Sequence, residues 1–233
     1  LAARMGDQAG HVFLDQFGNA SVRTNWRSGN LASALFGQLH SEGWPEPDWV
    51  VVGAGTGGTS STLARFIRYT GRRTKVALGD PEGSAYYPCW AQDDRTVVGT
   101  ASRIEGIGRP RVEPSFVPQL IDDVVTVPDS WSVAGMRALR RRGLSVGPST
   151  GTNLVAALRI AERMQARGRR GVIASIVCDA ADRYAETYDR DDWLAAQGIR
   201  LADAEPSLEA YLDGGPAPQS WTRDSPPRVR VSA

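Results

Sequence analysis

A glycine-rich segment lies between a strand pattern and a helix pattern near residue 55. The apolar run Trp49–Val52 is followed by Gly53-Ala54-Gly55-Thr56-Gly57-Gly58-Thr59, and residues 60–69 then have the apolar spacing of a helix. Glycines at such a junction leave backbone N–H groups accessible to an anion, and the helix N-terminus adds a partial positive charge there. The segment therefore predicts an α/β fold with a site for a phosphorylated ligand.

Strand and helix patterns alternate along most of the chain. Strands are predicted at 49–52, 75–78, 124–127 and 172–177, and helices at 60–69, 131–142 and 153–167. This order predicts an α/β fold with a doubly wound, mostly parallel sheet. Because ligands bind beyond the carboxyl ends of the strands in such sheets, a second turn at 147–151 is expected near the glycine-rich segment. Residues 82–118 are predicted to be irregular.

The composition is that of an ordinary globular chain and argues against several classes of protein. The 233 residues are 41% hydrophobic and carry a formal net charge of +1. This charge gives no reason to expect a nucleic-acid partner, and no apolar run approaches the roughly 20 residues of a membrane helix. The cysteines and histidines lack metal-site spacing, and Cys178 is expected to be buried in its strand. We therefore expect a cytoplasmic protein without metal, membrane or nucleic acid as partners.

Two classes of cofactor are compatible with the glycine-rich segment when it is considered alone. Gly53, Gly55 and Gly58 match the Gly-x-Gly-x-x-Gly pattern of dinucleotide-binding oxidoreductases, and Asp80 ends the next strand where a ribose-binding acid is expected. About 50 residues precede the pattern here, however, whereas it usually opens a dinucleotide-binding domain. The other class binds one compact phosphate through residues 55–59, with threonine hydroxyls as additional donors.

The chain resembles the fold-type-II pyridoxal-phosphate enzymes of the cysteine synthase and cystathionine β-synthase group. The resemblance extends over about residues 11–193 and depends on five segments in the family's order. These are Leu-Asp-Gln-Phe-x-Asn-Ala at 14–20, Gly-Thr-Gly-Gly-Thr at 55–59, Asp-Pro-Glu-Gly-Ser at 80–84, Glu-Gly-Ile-Gly at 105–108 and Gly-Pro-Ser-Thr-Gly at 147–151. One such segment is a weak signal, but the ordered set is specific.

The resemblance implies pyridoxal 5'-phosphate as the cofactor and assigns its contacts. The phosphate would be held by the loop composed of Gly55, Thr56, Gly57, Gly58 and Thr59. Gly106 would lie against the face of the cofactor, Ser149 would meet its pyridine nitrogen, and Gln16 would help to hold the α-carboxylate of the substrate. Each of these three also has a plainer explanation: a linker for Gly106, a helix N-cap for Ser149 and a turn residue for Gln16.

The lysine that carries the cofactor in the family has no counterpart among the matched segments. Lys75 is the one lysine of the sequence, and it begins a strand, at the amino end of the sheet. Because the sequence starts at Leu1 without an initiator methionine, we expect this lysine to precede residue 1 and the fold to be incomplete at its N-terminus. Residues 1–10 would end a smaller domain, 11–202 would form the cofactor-binding domain, and 203–233 would be a flexible tail.

The resemblance implies β-elimination or β-replacement on amino acids such as L-cysteine or O-acetylserine, by a homodimer in sulfur amino-acid metabolism. The stretch at 109–116 is longer and more basic than in typical cysteine synthases, and is similar to the actinobacterial branch that includes L-cysteine desulfhydrases. Arg109 and Arg111 are expected to lie in solvent, with contact to an anionic substrate as the alternative. A non-catalytic cofactor-binding or subunit module is the alternative to an enzyme.

Overall fold

Four parallel strands form one sheet within the part of the chain that the computed structural model describes, residues 1–100 and 102–221. They are β1 (Trp49–Val52), β2 (Lys75–Pro81), β3 (Asp123–Val127) and β4 (Ile173–Ser175). The strand order is β3-β2-β1-β4, and Val50 of β1 lies opposite Val76 of β2 and Ala174 of β4. This arrangement confirms the predicted α/β fold with a parallel sheet.

Nine α-helices are present within these residues. They are α1 (Ala2–Gly6), α2 (Gln16–Arg23), α3 (Leu31–Ser41), α4 (Gly58–Tyr69), α5 (Tyr86–Gln92), α6 (Asp129–Arg141), α7 (Pro148–Ala166), α8 (Asp191–Ala196) and α9 (Ala204–Leu212). Short 3-10 turns occupy Pro118–Leu120, Ala181–Tyr184 and Gln219–Trp221. Among the same residues, no helix has both the length and the apolar composition needed to cross a membrane.

Strand β1 is covered by helices on both faces, which explains its continuous apolar sequence. Val50 and Val52 pack in one core cluster with residues of α3 and α4, whereas Val51 packs in another with residues of α6 and α7. All three valines are buried. Since successive side chains of a strand point to opposite faces, four apolar residues in a row are required where both faces are covered. The sheet is therefore doubly wound.

The two helices that flank β1 both begin at the carboxyl edge of the sheet. Helix α4 starts six positions after Val52. Near the start of α7, the side chain of Asn153 lies over Gly79 of β2, and near its end Met164 lies beside Gly171, which precedes β4. Helix α7 therefore runs antiparallel to the strands. Both helix N-termini, with their partial positive charges, consequently face the same edge.

The predicted tail is folded as far as residue 221, contrary to the expectation for 203–233. Leu208 of α9 is fully buried, and Trp221 is 7% exposed. The Trp221 ring lies 5.4 Å from that of Trp131 on α6 and 5.0 Å from that of Tyr211. Composition concealed this because the few apolar residues that dock are diluted among Pro, Gly and Asp. The rest of the predicted tail, 222–233, lies outside the described residues.

Two other local predictions were wrong. Residues 82–118 were expected to be irregular but contain α5, in which Pro88 occupies the first turn, a position where a helix tolerates proline. The strand expected at 172–177 ends at Ser175, where its pairing with β1 also ends. Cys178 is consequently exposed and not buried, as is Val177 at 60%.

Candidate functional site at the carboxyl edge of the sheet

The loop between β1 and α4 is enclosed so closely that several of its positions accept only glycine. Gly57, the N-cap of α4, has φ 88°, and a Cβ there would lie 2.7 Å from Cα of Phe116. A Cβ at Gly58 would lie 2.9 Å from Cβ of Ala20, and one at Gly55 would collide with the carbonyl oxygen of Gly106. The glycines thus allow other segments to approach the loop backbone closely, and one of them adopts a left-handed conformation.

Hydrogen bonds hold the loop in place from both sides. The hydroxyl of Tyr86 donates to the carbonyl oxygen of Gly55 at 2.5 Å. The backbone N–H of Gly108 donates to the carbonyl oxygen of Ala54 at 2.9 Å. Within the loop, Thr56 Oγ1 accepts from the N–H of Gly58 at 3.3 Å. The loop is therefore a preformed element, fixed by residues that lie about 30 to 50 positions further along the chain.

The loop and the first turn of α4 fit a phosphate group. The first N–H groups of an α-helix have no intrahelical partner, and the N-cap of α4, Gly57, has no side chain that could accept from them; only the N–H of Gly58 has a side-chain acceptor, Thr56 Oγ1. Thr59 is exposed at this turn, and Gly55, Thr56 and Gly58 are half-buried. Backbone donors with a helix dipole behind them, and glycines that leave room for an anion, match the chemistry of a phosphomonoester.

The segment 105–108 lies against this loop and is anchored from behind. Ile104 and Ile107 are buried in a third core cluster together with Tyr184, Tyr188 and residues of α6 and α8. The N–H of Glu105 donates to the hydroxyl of Tyr188 at 3.0 Å. Gly106 itself is exposed, with φ 86°. The two isoleucines thus anchor the segment, and Gly106 between them lies at the surface beside the candidate phosphate loop.

Ser149 lies in the first turn of α7, one residue after Pro148, and is 4% exposed. Gly147 is the N-cap, so the plainer explanation of Ser149 as an N-cap is wrong. The turn is held firmly: the N–H of Gly147 donates to the carbonyl oxygen of Asp179 at 2.8 Å, and Thr150 Oγ1 accepts from the N–H of Cys178 at 3.0 Å. Ser149 therefore lies at the same edge as the glycine loop, on the opposite face of the sheet.

Gln16 is the first residue of α2 and is exposed. Its helix packs across the start of α4, where Ala20 meets Gly58. The N–H of Ser115 donates to the carbonyl oxygen of Phe17 at 3.1 Å, which joins α2 to the segment behind the loop. Since Asp15 is the residue that caps α2, the Gln16 side chain is not used as the cap.

A buried glutamate beside the site was not foreseen from the sequence. Glu113 is 1% exposed, and its Oε1 accepts from Nε of Arg109 at 3.1 Å and from Nε of Arg111 at 3.3 Å. The Arg109 guanidinium also lies 4.8 Å from the ring centroid of Phe17, next to Gln16. Arg109 is thus a paired residue at the rim of the site, and the expectation that it simply lies in solvent was wrong.

Asp80 does not fit the ribose-binding acid of a dinucleotide fold. Its side chain is fully buried and accepts from the backbone N–H of Tyr87 at 2.9 Å. Burial raises the pKa of this carboxyl group to about 7, while hydrogen bonds from Ser84 and Tyr87 act in the opposite direction. A carboxylate that anchors α5 from inside the protein cannot also face a bound nucleotide.

The chain is similar in sequence to several known proteins. A family model described as pyridoxal-phosphate dependent enzyme matches residues 1–179. The L-cysteine desulfhydrase Cds1 of Mycobacterium tuberculosis is 47% identical over 213 residues, which are 90% of this chain and 58% of that protein. Cysteine synthase 1 of Emericella nidulans is 31% identical over 163 residues, covering 68% of this chain and 43% of the synthase. The chain spans about half the length of such relatives.

A solved structure resembles the fold described above. It is that of a hydrogen sulfide-producing enzyme, 25% identical in sequence, with a TM-score of 0.58. The match covers 68% of this chain and 44% of that one.

Proposed function

This chain belongs to the pyridoxal-phosphate-dependent enzyme family, and on that premise we propose that it forms the cofactor-binding part of an enzyme acting on the β-carbon of L-cysteine. The observation that carries the proposal is the approach of Gly106 to Gly55. The two glycines lie about 50 residues apart in sequence and are in contact. One segment could therefore bind the phosphate of a cofactor while the other lies against the face of its ring. Their meeting supports a compact cofactor rather than a dinucleotide.

The proposed phosphate anchor is the loop from Gly55 to Thr59. Its backbone N–H groups and threonine hydroxyls would donate to the phosphate oxygens, and the dipole of α4 would favour their negative charge. Gly106 would lie beside the ring of the cofactor, because a glycine there allows close approach. None of these contacts requires a charged side chain, so binding of the phosphate would not depend on the ionisation of a side chain in this loop.

Ser149 would hold the pyridine nitrogen. A neutral hydroxyl does not keep that nitrogen protonated as a carboxylate would, and the cofactor is then a weaker electron sink. When bound, pyridoxal phosphate supplies the electron sink that assists loss of the α-proton and of the β-substituent. Ser149 is 4% exposed, so its hydroxyl would meet the nitrogen with little access for water, which supports the role.

Gln16 would orient the substrate by binding its α-carboxylate with the side-chain amide. The rim beside it is positively charged, because Arg109 and Arg111 share a single buried carboxylate, that of Glu113. Two guanidinium groups paired with one carboxylate leave an excess positive charge there. This excess supports an amino acid with a free carboxylate as the substrate.

The lysine that carries the cofactor would come from outside these residues. Lys75 lies at the start of β2, with its Nζ 5.3 Å from the ring centroid of Trp49 at the start of β1. That is the amino edge of the sheet, opposite to the proposed site. We accordingly propose no catalytic residue within the chain. Residues 1–10 would end a smaller domain and 11–202 would form the cofactor domain, in a cytoplasmic homodimer.

The reaction is tested by supplying substrates separately to the full-length protein. We expect hydrogen sulfide and pyruvate from L-cysteine alone, since the desulfhydrase relative is more similar in sequence than the synthase. Formation of cysteine from O-acetylserine and sulfide would instead identify β-replacement as the main reaction. Absence of turnover with either substrate, in protein that retains the cofactor, would favour the non-catalytic module and refute the proposed activity.

A further inference from the structure

Tyr86 connects the core to the candidate phosphate loop, although it belongs to none of the segments that identify the family. Its side chain is fully buried. Its hydroxyl donates to the carbonyl oxygen of Gly55 at 2.5 Å. Its ring stacks on Phe116, with 4.1 Å between the centroids and 25° between the planes. One residue thus touches both the loop and the segment behind it.

We propose that Tyr86 is a positioning residue that orients the Gly55–Thr56 peptide for phosphate binding. In a trans peptide the C=O and the following N–H point in opposite directions within one plane. Since the Gly55 carbonyl is directed toward the Tyr86 hydroxyl, the N–H of Thr56 points away from that hydroxyl, and under this proposal it is one of the donors to the phosphate. This inference rests on the proposed phosphate site.

The opposite side of the loop is closed, so the peptide cannot easily rotate. The carbonyl oxygen of Gly106 occupies the space that a Cβ on Gly55 would need. At Gly57, Cα of Phe116 and the carbonyl oxygen of Ser115 lie 2.7 and 3.0 Å from the corresponding Cβ position. Because Tyr86 also stacks on Phe116, the loop, the ring and the segment behind the loop form one packed unit.

Tyr86 is itself held at the start of α5. Its N–H donates to Oγ of Ser84 at 3.2 Å, and the next N–H, that of Tyr87, donates to the buried carboxyl group of Asp80. Burial raises the pKa of the Tyr86 hydroxyl far above its usual range, and the nearby Glu113 adds to this effect. The hydroxyl therefore stays protonated and remains a donor at neutral and moderately alkaline pH.

The simpler explanation is that Gly55 merely satisfies a buried hydroxyl. The two explanations differ in what the hydroxyl does for the phosphate. A positioning role affects the affinity for pyridoxal 5'-phosphate but not for pyridoxal, which lacks the phosphate. A purely structural role changes both affinities alike, or neither. The ratio of the two dissociation constants therefore separates them.

The test is Tyr86→Phe in the full-length protein, which keeps the stacked ring and removes only the donor. We expect the dissociation constant for pyridoxal 5'-phosphate to rise about tenfold, because the Thr56 N–H is no longer held in place and its hydrogen bond to the charged phosphate is weakened, while that for pyridoxal stays the same. The phosphorus-31 resonance of the bound cofactor should also shift or broaden. An unchanged ratio of dissociation constants would overturn the proposal.

Tyr211→Phe is the matched control, since it also removes a tyrosine hydroxyl that donates to a partner, here the carboxylate of Glu162, far from the loop. It should leave the ratio as in the wild type. Ser84→Ala keeps the Tyr86 hydroxyl but loosens its support, so we expect a smaller fall in phosphate preference. If Tyr86→Phe fails to fold, a wild-type ratio in Ser84→Ala would refute the inference. If the wild-type protein shows no preference for the phosphorylated form, the phosphate site itself is refuted.

Discussion

The carbonyl oxygen of Gly106 occupies the space in which a Cβ on Gly55 would lie. The two glycines come from different connections, one after β1 and the other in the long segment between β2 and β3. The two positions require glycine for different reasons: Gly55 has no room for a side chain because of this contact, whereas Gly106 has φ 86°. Their contact joins the candidate phosphate loop to the segment that would lie along the cofactor.

We predict that Gly55→Ala abolishes tight cofactor binding. The new methyl group would meet the backbone of Gly106, which cannot move aside as a flexible side chain could. Equilibrium binding of pyridoxal 5'-phosphate to the full-length variant measures the effect, and a loss of about 10- to 100-fold is expected if one hydrogen bond to the charged phosphate is broken. Wild-type affinity in this variant would show that the loop is not the phosphate anchor.

Gly37→Ala is the control for this change. Gly37 is exposed in the middle of α3, and a Cβ there would meet nothing within 4 Å. Replacement of a helical glycine by alanine stabilises a protein by about 0.5–1 kcal/mol. We therefore expect a slightly raised free energy of unfolding and unchanged cofactor affinity.

Asp80→Asn should change how stability depends on pH. The Asp80 carboxyl has a pKa of about 7 in the folded protein and an ordinary value of 3.8 when unfolded. Between these values the folded state binds more protons, so this group lowers the free energy of unfolding as pH rises from about 4 to 7. The difference in that free energy, variant minus wild type, should accordingly increase from pH 4 to pH 7 and then level off. Chemical denaturation across this range measures it, and a flat difference would contradict the raised pKa.

Glu113→Gln should destabilise the fold. The change keeps the side-chain shape but removes the buried carboxylate that Arg109 and Arg111 share. Hydrogen bonds to charged groups contribute about 1.5–3 kcal/mol, and we expect the free energy of unfolding, measured by urea denaturation, to fall by an amount within that range.

Glu186→Gln is the control for this change, because Glu186 forms an exposed pair with Arg190. Its loss should be within about 0.5 kcal/mol. Equal effects of the two changes would show that Glu113 does not hold the rim together.

Trp221→Ala tests the folded part of the predicted tail. Trp221 packs against Trp131 and Tyr211, and its removal leaves a cavity beside α6 and α9. Loss of a buried tryptophan side chain lowers the free energy of unfolding by about 3 kcal/mol. Trp44→Ala, at a position that is 57% exposed, should lower it much less. Similar small effects at both positions would mean that residues after 203 contribute little to stability.

Local sequence patterns were sufficient to predict an element where its conformation depends mainly on residues that are close in sequence. The strand Trp49–Val52 and the helix after it were predictable, because a strand covered on both faces needs an unbroken apolar run and the glycines mark the turn. Helix α5 was not predictable in this way. Its aromatic residues and Pro88 form a weak helix in isolation, and it is held by Asp80 and by packing against Phe116.

The sequence by itself determined the fold class, the position of the glycine loop and the order of the segments that identify the family. These properties depend on local backbone preference and on the spacing of apolar residues, and both can be read from residues that are close in sequence. The tertiary structure decided that Gly106 closes on Gly55, that Tyr86 holds the same loop and that Glu113 is buried between two arginines. Such contacts depend on how segments that are distant in sequence pack against each other, so they cannot be predicted from the residues next to them in the chain.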